Sequence, residues 1–113
     1  ARLRLDLGRP PEAPATRLDR RLADAQVVTA AGNYVEVEGP CGRRLLRMTI
    51  AAAEAGMDRA ACVRIHRGAI VRRDLIVRLE RDRNGVAAVR LADGRRLRVG
   101  PRYRASVREA VEG

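Results

Sequence analysis

Aromatic residues are scarce in this chain, which has no Phe, no Trp and only two Tyr among its 113 residues. Proteins that bind single strands or RNA on an open sheet stack the bases on several exposed rings. Two tyrosines cannot supply such a surface, so the sequence argues against these classes. The 46% of hydrophobic residues are almost wholly aliphatic, which predicts one domain with a core of Leu, Ile, Val and Ala.

Metal-ligating residues are also few, with two cysteines and one histidine. Cys41 and Cys62 lack zinc-ligand spacing, and His66 has no suitable neighbour. We therefore expect no metal, no cofactor and two reduced thiols. No apolar run approaches the roughly 18 residues of a membrane span, and no leader is visible, so we expect a cytoplasmic protein without membrane contact. The chain opens without Met, which indicates a piece of a longer protein.

No arrangement of side chains typical of catalysis is present. His66 has no Ser or Cys nucleophile at a suggestive spacing, because Ser106 falls in a predicted terminal helix. Glu36 and Glu38 share one face of a predicted strand and are more typical of a solvated surface than of paired catalytic carboxylates. No glycine-rich loop suits a phosphate. We therefore predict that the chain is not an enzyme and has no catalytic residues.

Positive charge is abundant and unevenly distributed. All 24 basic residues are Arg, against 14 acidic residues, which gives a net charge of +10. Residues 64–113 hold 14 Arg and 6 acidic residues, whereas residues 1–63 hold 10 and 8. This excess predicts a polyanionic partner, with nucleic acid as the first candidate. The absence of Lys has two equally good explanations, which are a GC-rich genome and selection for bidentate guanidinium groups.

Alternating apolar and polar residues predict many short strands. Residues 3–7 form a candidate edge strand, and three prolines mark residues 8–15 as a loop. Residues 16–25 are compatible with either a short helical turn or an irregular segment. Further strands are predicted at residues 26–31, 34–38, 44–48, 63–66, 69–71, 75–79, 87–91 and 97–99.

Two helices are predicted from their capping residues. Thr49 suits the N-cap of a short helix at residues 50–55, and Gly56 would end it. Pro101 is typical of a first helical position, where its missing amide costs no hydrogen bond. The terminal helix that follows has a predicted buried stripe of Tyr103, Val107 and Val111.

The register of the last three strands follows from keeping their apolar residues on one face. This parity requires a three-residue loop at residues 83–85, with Gly85 in the left-handed region, and places Leu79 opposite Val89. On the same argument, residues 92–94 form the next loop. Val89 then lies opposite Leu97.

The same register aligns Arg78, Arg90 and Arg96 on the outward face. Like charges directly opposite one another destabilise a sheet by tenths of a kcal/mol, so a bound anion could offset their repulsion. A solvated face relieved by Glu80 is the favoured interpretation, and a DNA contact is the alternative.

Three predicted turns concentrate side chains that can read base edges, at residues 32–34, 65–68 and 100–103. The order of these turns and of the motifs around them along the chain is typical of a known family. The runs at residues 30–35, 47–50, 63–71, 91–94 and 99–103 together resemble the LytTR DNA-binding domain, over about residues 22–111. We therefore divide the chain into an N-terminal strand and proline-rich loop, residues 1–21, and a DNA-binding domain, residues 22–113.

The resemblance implies a mainly β fold, an elongated β-β-β sandwich of short, mostly antiparallel strands with one short internal helix and a C-terminal helix. It also implies sequence-specific binding of double-stranded DNA at promoter repeats, often with bending of the duplex. Family members usually follow a phosphorylated receiver domain in bacterial response regulators of two-component systems. The expected partners are therefore DNA, an upstream receiver or sensory domain, and a second subunit on repeated sites.

Residues carried over by motif divide into two groups. Asn33, Arg67 and Arg102 match the base-reading positions of the family. Arg64, His66 and Arg72 are assigned to phosphate or supporting contacts. Gly68 and Arg72 stand where the family commonly has Ser and Asn, both at the expected DNA-facing turn, so the preferred operator cannot be copied from relatives. Tyr34 and Tyr103 are expected to pack.

Two other functions remain open from the residues. A module that binds RNA or DNA without sequence preference would use the basic surface for its charge alone. A protein-interaction module that has lost its DNA surface is the other alternative, and the presence of Asn33, Arg67 and Arg102 argues against it.

Overall fold

The computed structural model describes residues 18–112. The strand predicted at residues 3–7 and the loop predicted at residues 8–15 lie outside the described residues. The eight strands are β1 (Val27–Ala31), β2 (Tyr34–Gly39), β3 (Gly42–Leu46), β4 (Cys62–His66), β5 (Ala69–Arg72), β6 (Ile76–Asp82), β7 (Gly85–Leu91) and β8 (Arg96–Arg98). The α-helices are α1 (Ile50–Ala55) and α2 (Arg104–Glu112), and 3-10 turns cover Arg20–Leu22, Arg73–Leu75 and Pro101–Tyr103.

The strands form two antiparallel sheets. The larger has the order β3-β2-β1-β5-β4, and the smaller has the order β6-β7-β8. The described residues extend 56 Å along one axis and 30 and 24 Å along the others. This architecture confirms the predicted mainly β, elongated fold with a short internal helix and a C-terminal helix.

The central part of the five-stranded sheet is packed on both faces. One face packs against the three-stranded sheet and α2, in a core that includes Val63, Ile65 and Val89. The other face packs against α1 and the first 3-10 turn, in a second cluster that includes Val28 and Val35. Because both faces are covered, central strands need apolar residues on both sides. This explains why all three residues of the apolar run at residues 69–71 are buried.

The predicted helix boundaries are confirmed. The Thr49 hydroxyl accepts a hydrogen bond of 3.0 Å from the Ala52 amide, which satisfies one of the free donors of the first turn of α1. Gly56 caps the other end. Pro101 opens the 3-10 turn that leads into α2. Val107 of α2 is fully buried, and Val111 of α2 and Tyr103 of the preceding 3-10 turn pack around the same core.

The predicted hairpin registers are confirmed at their centres. Leu79 lies opposite Val89, and Val89 lies opposite Leu97. Gly85 and Gly94 have φ angles of 112° and 97°, which L side chains rarely adopt. Both turns therefore depend on glycine.

Local shifts in β6 depart from the prediction. The pairing slips by one residue between Ile76 and Arg78, so Ile76 faces the core at 9% exposure and Val77 is 61% exposed. The prediction that Val77 lies on the core face is wrong, because a bulge reverses the alternation of side chains. A second shift lies between Glu80 and Arg81 and allows Asp82 to pair with Gly85. The loop therefore has two residues, 83 and 84, and the predicted three-residue loop at residues 83–85 is wrong, because this bulge keeps Leu79 opposite Val89 with a shorter turn.

The arginine row on the smaller sheet is present as predicted. Arg78 pairs with Arg90, and Arg90 pairs with Arg96. The Glu80 carboxylate accepts hydrogen bonds of 2.5 Å from Arg96 Nε and 2.6 Å from Arg90 Nη2. These bonds hold the pKa of Glu80 below its usual range, the bond from Arg96 having the larger effect. Glu80, a residue of the same sheet, therefore offsets the repulsion between these arginines.

Residues 18–25, whose structure the sequence left open, contain a short 3-10 turn. Asp19 accepts a hydrogen bond of 2.9 Å from the Arg21 amide at its start. Leu22 is 3% exposed and belongs to the cluster under α1. Within the described part of the chain, no helix is long and apolar enough to cross a membrane.

Candidate nucleic-acid interface

Two of the three predicted reading turns meet because β1 and β5 are antiparallel neighbours. Thr29, near the end of β1, pairs with Ala69 at the start of β5. The Ala30 amide donates a hydrogen bond of 2.9 Å to the Gly68 carbonyl. The β1–β2 turn and the β4–β5 turn therefore lie side by side at one edge of the larger sheet.

The third turn joins this edge through β4. The Gly100 amide donates a hydrogen bond of 2.8 Å to the Ile65 carbonyl. A Cβ added at Gly100 would lie only 3.0 Å from the His66 Cβ, so the two segments approach closely. We call this end of the molecule the tip edge, formed by residues 32–34, 66–68 and 100–103.

The three proposed base readers are exposed along the tip edge. Asn33, Arg67 and Arg102 follow one another in the order of the strands that hold them, and each side chain is exposed. Neighbouring strands lie about 4.8 Å apart, so the backbone row from the first turn to the third spans roughly 15–20 Å. Neither Arg67 nor Arg102 forms an ion pair with any residue in the range 18–112. Their guanidinium groups are therefore available to a partner.

The first turn is shaped by glycine. Gly32 has a φ of 65°, in the left-handed region, and nothing lies within 4 Å of a Cβ built there. Asn33 follows in the turn before β2. Tyr34 is 41% exposed. The expectation that Tyr34 packs is not met, because it alternates with Val35, which occupies the buried face at 0% exposure.

Arg64 connects the tip edge to the rest of the fold. Its guanidinium donates to Glu54 Oε1 at 2.9 Å, to the Arg67 carbonyl at 2.6 Å and to the His66 carbonyl at 3.3 Å. The guanidinium carbon also lies 5.7 Å from the centre of the Tyr103 ring. With a side chain only 17% exposed, Arg64 holds the turn before and after Arg67. These contacts favour the supporting role over a phosphate contact.

His66 closes the same turn with its imidazole. Its Nδ1 accepts a hydrogen bond of 3.0 Å from the Gly68 amide, so the neutral ring carries its proton on Nε2. Burial lowers the pKa of His66 below its ordinary value of 6.5, and the charges of Arg64 and Arg98 lower it further. The neutral, hydrogen-bonded ring therefore stabilises the turn that presents Arg67.

Arg72 lies away from the tip edge. It is the last residue of β5 and pairs with Cys62, the first residue of β4, about 10 Å along the sheet from the turn. Its Nη2 forms an ion pair of 2.9 Å with Asp74. The prediction that Arg72 lies at the same turn as Gly68 is wrong, because β5 separates them. Its contact with a phosphate stays a prediction.

Two arginines near the tip edge were missed by the sequence analysis. Arg98 and Arg104 line a cleft with His66 and residues 99–101. Arg98 comes two residues before Gly100, and a search for charges flanking the predicted turns would have found it. Arg104 gave no such signal, because its position beside His66 depends on how α2 packs.

The cysteines and acidic residues form no metal site in the part of the chain that the structure describes. No group of three or more His, Cys, Asp or Glu residues within it could hold a metal ion. Cys41 and Cys62 are free thiols. Burial raises the pKa of the Cys62 thiol, so this group is a poor nucleophile at neutral pH.

Comparison with known proteins agrees with this geometry. The structure is similar to a solved LytTr DNA-binding domain from Bacillus cereus, described as part of a methyl-accepting/DNA response regulator, with a TM-score of 0.70 and 17% identity. The match covers 80% of this chain and 83% of that one. No curated protein matches the sequence. The LytTr DNA-binding domain family matches residues 20–112. The chain therefore belongs to the LytTR family of DNA-binding domains.

Proposed function

We propose that the chain recognises a specific double-stranded DNA sequence through its tip edge. In this proposal it acts at promoter repeats as the effector domain of a bacterial transcriptional regulator. Family membership supplies DNA binding. The observation that carries the finer proposal is the alignment of exposed Asn33, Arg67 and Arg102 at one edge of a rigid sheet.

The chemistry of these three side chains suits the edges of bases in a major groove. A guanidinium group donates two hydrogen bonds to O6 and N7 of guanine, and a carboxamide pairs with N6 and N7 of adenine. Such contacts discriminate only when the side chains are held in place. The hydrogen bonds that Arg64 donates to the Arg67 carbonyl and that His66 accepts from the Gly68 amide support the backbone at Arg67 in this way.

We place the chain among binding proteins rather than enzymes. We further propose that an upstream receiver or sensory domain controls its access to DNA, and that a second subunit binds beside it on a repeated site. Each of these partners is a separate proposal that extends the DNA-binding function of the family.

Selection of bound duplexes from a random pool tests the specificity. We expect an enriched motif. On that motif, Arg67→Ala or Arg102→Ala should cost roughly 1–3 kcal/mol, with little loss on a random duplex. Arg73→Ala is the matched control, because Arg73 is exposed and lies next to Arg72, at the end of β5 opposite the tip edge.

The competing function is binding of RNA or DNA without sequence preference. It predicts that no motif is enriched, and that Arg67→Ala weakens binding to the selected and the random duplex equally. That pair of results would overturn the proposal.

A further inference from the structure

An open cleft of about 350 Å³ lies beside the tip edge, between the end of β4 and the start of α2. It is lined by His66, Arg98, Val99, Gly100, Pro101 and Arg104. The close approach of Gly100 to His66 forms one wall. The polar side chains of the lining are thus one imidazole and two guanidinium groups, with no carboxylate among them.

These three side chains offer hydrogen-bond donors to the cleft. The His66 Nδ1 is occupied by the Gly68 amide, which leaves Nε2–H as a free donor. Arg98 forms no ion pair with residues 18–112. The cleft thus presents hydrogen-bond donors and a net positive charge, and its lining side chains include no anionic acceptor. This combination favours an anionic ligand.

Arg104 is incompletely satisfied where it lies. Its Nε is buried and has no hydrogen-bond partner among the described residues, which is uncommon and costly for a buried N–H. Its nearest carboxylate is Asp82, with Nη1 and Oδ1 3.7 Å apart. This distance is too long for a strong hydrogen bond, so Asp82 leaves much of the donor capacity of this guanidinium group unused.

We infer that the cleft binds a phosphate group, and that this group is a backbone phosphate of bound DNA. The inference deepens the proposed function and rests on it. His66 precedes Arg67 and Pro101 precedes Arg102, so the cleft adjoins the turns that carry two of the proposed base readers. Because sugar–phosphate strands border the grooves, a reader inside a groove brings its flanking donors close to phosphates. The cleft then fixes the register of the protein on the duplex, while Arg67 and Arg102 read bases.

The test combines a variant protein with chemically modified DNA. The affinities of the chain, Arg98→Gln and the control Arg73→Gln are measured for random and selected duplexes over a range of salt concentrations. We expect Arg98→Gln to reduce the slope of log K against log salt by about 0.9 on both duplexes, with the selected-to-random preference retained. Arg73→Gln should leave the slope unchanged.

Methylphosphonate substitution then locates the contact. Phosphates are neutralised one at a time. At one position, the loss of the charge should weaken binding of the unaltered chain but not of Arg98→Gln. An unchanged slope in Arg98→Gln, or equal sensitivity of both proteins at every phosphate, would overturn the inference. Failure of the proposed sequence specificity gives a different result. Arg67→Ala would then lose the same affinity on both duplexes, while Arg98→Gln would still reduce the salt slope.

Titration with inorganic phosphate separates the two sources of the ligand. We expect the His66 ring resonances to respond only weakly, because a single phosphate lacks the neighbouring contacts of a duplex. Saturable binding below millimolar phosphate, together with an unchanged DNA salt slope in Arg98→Gln, would assign the cleft to a free phosphorylated molecule and overturn the DNA assignment.

Discussion

At the scale of single residues, Arg64 shows why residue type alone does not assign a role. It belongs to a family motif and carries the charge that a phosphate would attract. In the structure it spends its donors on Glu54 and on the carbonyl groups of His66 and Arg67. Three of its five N–H groups are engaged in this way, and its side chain is only 17% exposed. We therefore propose that Arg64 positions the turn that carries Arg67.

Substitution of Arg64 by Lys tests this role. A lysine ammonium cannot span three acceptors as a planar guanidinium does, so we expect a loss of about 1–3 kcal/mol in the stability of the domain. The preference for the selected duplex should fall, because Arg67 is held less firmly, while the salt slope of DNA binding stays unchanged. A slope that drops by about 0.9 would instead identify Arg64 as a phosphate contact.

The lowered pKa of His66 predicts a pH dependence of stability. The folded state disfavours the protonated ring, whereas the ring in the unfolded chain titrates near its ordinary value of 6.5. The contribution of His66 to the free energy of unfolding is thus fully present above pH 6.5, and it is lost as the pH falls through the pKa of the folded state. We expect the urea midpoint to be lower at about pH 5.5 than at about pH 7.5.

His66→Asn is the control for this titration, because its side-chain oxygen can accept the Gly68 amide without being protonated. The pH effect should disappear in this variant. Glu80 and Asp93 have pKa values below their usual range, so they stay ionised over the same interval. An equal pH effect in His66→Asn would contradict the assignment to His66.

At the scale of elements, the short segment from Gly100 to Tyr103 links α2 to the tip edge. Its position depends on a close approach, since a Cβ at Gly100 would lie 3.0 Å from the His66 Cβ and 3.3 Å from Tyr103 Cδ2. The backbone there is extended and ordinary for any residue. Space, and not conformation, is the reason for glycine at this position.

Gly100→Ala should therefore push the segment from Gly100 to Tyr103 away from His66, without straining the backbone angles at position 100. We expect a loss of stability of roughly 1–3 kcal/mol, as for other overpacked sites, and weaker binding to the selected duplex as Arg102 moves away from β4. Gly68→Ala is the matched control for stability, because its nearest neighbour would be an ordinary contact at 3.4 Å. Full stability and full DNA affinity in Gly100→Ala would show that the approach is not required.

Elements formed by neighbouring segments were predicted well. The N-cap at Thr49, the loop at residues 92–94 and the pairing of Leu79 with Val89 all follow from local patterns. The bulge at Val77 was not predictable, because nothing in the alternation of β6 marks where a strand slips by one residue. A bulge is decided by how the whole strand fits its partner.

At the scale of the whole molecule, ion pairs occupy many arginines outside the tip edge. Glu80 holds two of them, and Arg95 pairs at 3.0 Å with Glu38 of the other sheet. Exposed pairs of this kind add little to stability. Arg67, Arg98 and Arg102 have no ion-pair partner among the described residues, so their charge is not offset at the tip edge.

The length of the tip edge predicts that bound DNA is bent. Two successive major grooves on one side of a straight duplex lie about 34 Å apart, whereas the backbone row of the tip edge spans roughly 15–20 Å by the spacing of its strands. Readers at both ends can enter two grooves only if the duplex curves towards the protein. Such a bend costs on the order of 1–6 kcal/mol.

Fluorescence energy transfer between the ends of a selected duplex measures this bend. We expect the ends to come closer when the chain binds, and to remain apart with a duplex whose bases at the Arg67 or Arg102 contact are changed. A straight duplex in a complex that still depends on both Asn33 and Arg102 would contradict the prediction, and would place both side chains in a single groove.

The sequence by itself determined the strands, caps and turns, together with the family motif that names Asn33, Arg67 and Arg102. These features depend on side-chain alternation and on backbone preferences within a few residues, which are present in the order of amino acids. The charge of +10 likewise follows from composition alone, and it indicates a polyanionic partner.

Tertiary structure alone decided which of these residues meet. The pairing of β1 with β5 joins two turns more than 30 residues apart and leaves Arg72 at the opposite end. The packing of α2 brings Arg104 to the cleft beside His66 and Arg98. These placements depend on contacts between segments distant in the chain, and their register is set by the fit of whole faces, which no local pattern of residues contains.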